Sequence, residues 1–80
     1  MINRVEYLFA VSLAVADKAA RQQGWHPNGR ADWYKPDGTL VCFLGLAEQL
    51  AVVPHGATVH VVGERPAGIR QTCTVMLITA

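Results

Sequence analysis

Apolar and polar positions change their period three times along this chain. Between Val5 and Ala20 the apolar residues Val5, Leu8, Phe9, Leu13, Ala16 and Ala20 recur at helical spacing, with Lys18, Arg21 and Gln22 on the other side. The spacing predicts a helix from about Arg4 to Gln23. Asn3 stands as its N-cap, Glu6 completes a variant of the capping box, and Ile2 with Tyr7 occupy the staple positions. Gly24 is placed to end it in a left-handed cap, and His26-Pro27-Asn28-Gly29 cannot continue it.

The period then drops to two. Trp33-Tyr34 and Leu40-Val41-Cys42-Phe43-Leu44 flank Lys35-Pro36-Asp37-Gly38-Thr39, the chemistry of a type I turn with a left-handed residue at Gly38. The resulting hairpin sets Tyr34 opposite Leu40 and Trp33 opposite Val41, which makes both of its faces apolar. Gly45-Leu46-Ala47-Glu48-Gln49-Leu50 reads as one or two turns of helix, stopped by Val52-Val53 and Pro54-His55-Gly56. Thr58 to Val62 alternates as a strand, Glu64 to Gly68 is a loop, and Arg70 to Thr79 is a long strand apolar on both sides. The predicted order is α-β-β-(short α)-β-β. It gives an α+β fold in which an N-terminal helix packs on a four-stranded, mainly antiparallel sheet, one small domain over residues 1–80.

Composition adds a surplus. The chain is 51% hydrophobic and 16% charged, whereas a small domain has a thin core. More apolar surface is present than one helix on one sheet can bury, which points to a homodimer or a protein partner. A net charge of +1 provides no field to draw in nucleic acid or an anionic membrane. Two cysteines are too few for a disulfide framework, so Cys42 and Cys73 are read as reduced, the protein as cytoplasmic. The apolar stretch from Tyr7 to Ala16, with Ala14-Val15-Ala16, resembles a signal peptide, but its leading segment carries Glu6 beside Arg4. It is also much shorter than the roughly 20 residues that span a bilayer.

Little in the chain is equipped for chemistry. Cys42, His55, His60 and Cys73 offer two sulfurs and two nitrogens, but without the close cysteine pairs of a zinc site, so no metal is expected. Neither cysteine has a neighbouring base or cation that would activate it. Glu6, Asp17, Asp37, Glu48 and Glu64 fall where capping, turns or solvation account for them; Asp32 alone is out of place, beside Trp33 in the hairpin. There is no phosphate-binding glycine loop. The expectation is a protein that is not an enzyme and holds no cofactor.

The residues suited to contact lie between Gly24 and Lys35. Trp25, Arg30, Trp33 and Tyr34 are of the types that dominate protein-binding hot spots. Aromatics interleaved with Lys18, Arg21, Arg30 and Lys35 also fit an alternative reading as a single-strand nucleic-acid surface. The plainer reading of the same residues is that Trp25 and Trp33 close the end of the helix core.

Taken together, Gly24-Trp25, Trp33, Pro36-Asp37-Gly38-Thr39-Leu40-Val41, Glu48-Gln49-Leu50 and Gly56-Ala57-Thr58-Val59-His60-Val61 resemble the small open reading frames of phages and prophages from high-GC bacteria. The resemblance implies an accessory protein that binds a host or phage protein, as anti-defence inhibitors and host-takeover factors do, and it assigns no functional residue. The expected function is therefore a non-catalytic module that occludes or bridges a protein surface through Trp25, Arg30, Trp33 and Tyr34, with the far face of the sheet as a dimer surface.

Overall fold

A computed structural model describes residues 4–45, 47–63, 76 and 77. The chain does not begin with the expected helix. Val5–Phe9 forms a strand, β1, and the helix α1 occupies only Leu13–Gln22. Val5, Tyr7 and Phe9 are β-branched or aromatic residues that suit a pleated surface, and Leu8 satisfies a helical and an alternating pattern equally well. The alternation is hidden because the set facing the helix, Glu6, Leu8 and Ala10, includes a charged residue while the other set is apolar. Glu6 therefore lies in a strand and not in a capping box; Asn3 lies outside the described residues. The actual N-cap is Ser12, in extended backbone, whose hydroxyl accepts from Val15 N at 3.2 Å.

The other end of α1 follows expectation. Gly24 has φ +81°, Trp25 N donates to Ala20 O and Gly24 N to Arg21 O, both at 3.0 Å. These are the paired bonds of a Schellman cap, and they turn Trp25 back beneath the helix. Ala16, Ala19 and Ala20 are the buried residues of α1, small enough to let it lie close on the sheet.

Three strands follow in antiparallel succession: β2 (His26–Pro27), β3 (Asp32–Tyr34) and β4 (Leu40–Leu44). The β3–β4 register is the predicted one, Trp33 opposite Val41 and Tyr34 opposite Leu40. Gly38, at φ +91°, supplies the left-handed residue of the turn, and Asp37 Oδ1 accepts from Thr39 N at 2.9 Å. Ala47–Val52 is a 3₁₀ helix rather than an α-helical turn. Val59–Val62 is β5, and Met76–Leu77 is β6. The remainder of the strand expected from Arg70 to Thr79, Cys73 included, lies outside the described residues.

Among the described residues these elements make an α+β fold with a mixed sheet of six strands, ordered β2-β3-β4-β1-β5-β6. The expectation of four mainly antiparallel strands is corrected: β1 lies between β4 and β5 and runs parallel to both, and β6 is parallel to β5. The error follows from the first element, because a strand before the helix makes the chain cross over before it pairs again, and such a crossover produces parallel neighbours. Each face of the sheet carries a packed cluster. On one, α1 packs with Leu8, Ala10, Trp25, Trp33, Val41 and Val62. On the other, Leu50 and Val53 lie over Leu44, Val59 and Val61, with Tyr7 and Phe9 alongside. This second core absorbs much of the apolar surplus that the sequence carries.

Candidate functional site

The strand alternation that puts Leu8 and Ala10 under the helix puts Glu6 there too. Its carboxylate is buried, and Oε1 accepts from Lys35 Nζ at 2.9 Å and pairs with His60 Nε2 at 2.6 Å. Lys35 comes from the end of the hairpin and His60 from β5, so one oxygen joins three parts of the sheet. An acceptor carboxylate requires the proton on Nε2, which leaves the buried Nδ1 of His60 without a hydrogen-bond partner. Trp25 closes the cluster, its ring meeting His60 edge-on at 4.9 Å between centroids and 65° between planes. Lys35 Nζ stands 5.9 Å from the centroid of the same ring. Burial pushes the Glu6 carboxyl up, but the hydrogen bonds from His60 and Lys35, together with their charges, outweigh it and hold the group below its ordinary value.

Neither Glu6 nor His60 stood out in the sequence, where one was assigned to capping and the other to a failed zinc spacing. The signal available was a charged residue inside the run Val5-Glu6-Tyr7-Leu8-Phe9 and a histidine inside Val59-His60-Val61-Val62. Each sits where an apolar residue belongs, and each is the other's partner.

The proposed anchors divide. Trp25 and Trp33 are only 7% and 1% exposed and pack in the core beneath α1, so the surface they offer to a contact is small. Trp33 Nε1 donates to Asp17 Oδ1 at 3.0 Å, while Arg21 Nε donates to Asp17 Oδ2 at 2.8 Å. The Trp33 bond and then the Arg21 bond hold the Asp17 carboxyl below its usual range. Tyr34 and Arg30 remain on the surface. Of the four cations in the nucleic-acid reading, Arg21 and Lys35 are each engaged by a carboxylate, and Lys18 and Arg30 are exposed.

His55 is exposed in a turn, far in chemical setting from the buried His60, and Cys42 is half-buried in β4. Burial, and after it the charge and hydrogen bond of Asp32 on the neighbouring strand, push the Cys42 thiol up and away from the reactive thiolate. No group of three or more potential metal ligands forms among the described residues. No helix among them is long and apolar enough to cross a membrane.

On the face away from α1, outside the part that Leu50 and Val53 cover, a second feature appears. Val5 on β1, Leu40 on β4 and Tyr34 on β3 are in register, forming one row across three adjacent strands. Val5 is 46% and Tyr34 41% exposed, Leu40 is half-buried, and none of the three belongs to the core that Leu50 and Val53 cover. The sheet edge beside them is short and carries Pro27, which has no N–H to offer a further strand. Contact is thus available through the face more than through the edge. In comparison with known proteins, no family model matches this chain, and no curated protein and no solved structure matches it.

Proposed function

We propose that this protein is a non-catalytic binding module that acts in the cytoplasm by covering a surface of a protein partner, with Tyr34 at the centre of the contact. The observation that carries this reading is the row Val5–Leu40–Tyr34, apolar, in register and open on the face away from the helix. Tyr34 ends the row beside the aliphatic Leu40 and is of a residue type that dominates hot spots, and exposed Arg30 adds another. The role implied by the resemblance to phage accessory proteins, inhibition of a host protein by occlusion, needs no more equipment than this. A nucleic-acid surface has less support, because two of its four cations are already neutralised by Asp17 and Glu6.

The test is affinity capture by the tagged chain from a lysate of its host, with identification by mass spectrometry, repeated with Tyr34→Ala and with Lys18→Ala as a control on the helix. Loss of a hot-spot tyrosine should weaken capture of a defined protein by about tenfold or more, and the Lys18 variant should match the parent. Undiminished capture by a folded Tyr34→Ala protein would overturn the reading. Recovery of nucleic acid that is lost steeply between low and moderate salt would replace it with the alternative. Light scattering on the isolated chain separates a second copy from a foreign partner as the occupant of the same face.

A further inference from the structure

The open row and the buried cluster are opposite sides of the same strand positions. Val5, Leu40 and Tyr34 face away from the helix; their chain neighbours Glu6, Thr39 and Lys35 face the other way. On that inner side Lys35 Nζ donates to Glu6 Oε1 at 2.9 Å, and Arg4 Nη2 donates to Thr39 Oγ1 at 3.4 Å. We propose that Glu6 is a proton-sensitive clamp: ionised, it holds the end of the β3–β4 hairpin through Lys35 and so fixes Tyr34 beside Leu40 in the row that ends at Val5; protonated, it releases the hairpin end. What the row is for rests on the binding function proposed above, but the clamp itself does not.

The surroundings of Glu6 favour release at Lys35 over general collapse. The hairpin presents Lys35, β5 presents His60, and the neighbour on β4 is Val41, which carries no charge. Trp25, following α1, is likewise neutral, and of the charged residues of α1, Asp17 is bonded to Arg21 and to Trp33, while Lys18 is exposed. Arg4 is paired with Asp37. Lys35 is already 22% exposed at its side chain, against 4% for His60, so a lysine freed from Glu6 has only a short way to water. Because the fold holds the Glu6 carboxyl below its ordinary value, the clamp is closed at neutral pH and opens only in acid.

The experiment is a pH titration of the full, isotopically labelled chain by NMR, from neutral pH to about pH 3, where carboxyl groups take up protons. It follows the side-chain carboxyl carbon of Glu6 and the amides of Tyr34, Lys35 and Leu40, with those of Ala16 to Ala20 in α1 as reference, all in an Asp17→Asn background that removes the helix's own titrating carboxyl and keeps an oxygen for Trp33 Nε1. The hairpin amides should shift with the Glu6 midpoint while the α1 amides do not. In Lys35→Met the Glu6 carboxyl should still titrate and the hairpin amides should stop following it. Folded Glu6→Gln should show at neutral pH the hairpin shifts of the acidified parent; if it does not fold, Lys35→Met decides. Hairpin amides that stay still while Glu6 titrates would overturn the clamp, as would a Lys35→Met protein that behaves like the parent, or α1 amides that change at the same midpoint. Undiminished capture by folded Tyr34→Ala, with co-titration intact, would sink the binding function alone.

Discussion

Trp33 shows how much one side chain does here. It is the largest fully buried residue, it packs against Val41 on the adjacent strand, and its indole N–H is the donor that fixes Asp17 on α1 to the sheet. Trp33→Phe keeps most of the apolar contact but loses that donor, and should cost about 1–2 kcal/mol in urea denaturation, at the low end because Asp17 is partly in water. The carboxylates set the acid response. Glu6, Asp17 and Asp37 are all held below their ordinary values in the fold, so the unfolded chain takes up protons first. Stability should be level from neutral pH down to the ordinary carboxyl range and then decline as the pH falls through the folded values. A denaturation series that stayed flat into strong acid would contradict these pairings. Cys42 should be alkylated more slowly than a free thiol at mildly alkaline pH, read by peptide mass mapping, because its thiol is pushed up. At this scale the sequence was readable where local chemistry decides, as at Gly24 and Gly38, and unreadable where a distant residue decides. Glu6 is acceptable in a central strand only because Lys35 and His60, far along the chain, converge on one of its oxygens.

The hairpin and the helix were legible to different degrees. The β3–β4 hairpin followed from its turn residues alone, since Pro36, Asp37 and Gly38 fix the loop and the loop fixes the register. The helix begins nine residues later than its pattern suggests, at Leu13 in place of Arg4, because a strand with apolar residues on both faces gives no clean period and Val5, Leu8 and Phe9 suit a helical stripe as well. Ser12 was the overlooked sign, a capping residue inside an apolar run. Ser12→Ala should therefore destabilise the protein by about 1 kcal/mol, and substitution of Gly24 by Ala by a comparable amount, both measurable as a lower thermal midpoint. If Ser12→Ala were silent, α1 would not begin where the capping bond places it.

For the molecule as a whole, the arrangement of strands explains why only part of the candidate site could be read in advance. Tyr34 and Arg30 were identifiable as surface candidates by type, and Tyr34 opposite Leu40 by the hairpin. Val5 joins them only because β1 runs parallel to β4, a pairing that no local pattern announces. Hydrogen exchange should rank the strands accordingly. The amide of Tyr7, which donates to Thr58 O at 3.1 Å in a strand flanked on both sides, should exchange far more slowly than amides at the edge of the sheet in β2. A fast-exchanging Tyr7 would argue against the central place of β1. The same topology has a consequence during synthesis. β1 leaves the ribosome before either neighbour, and its partners β4 and β5 end only at Leu44 and Val62. The apolar segment Tyr7-Leu8-Phe9 is thus exposed on the nascent chain until most of the described protein has been made, which makes it a natural target for a chaperone that works at the exit tunnel.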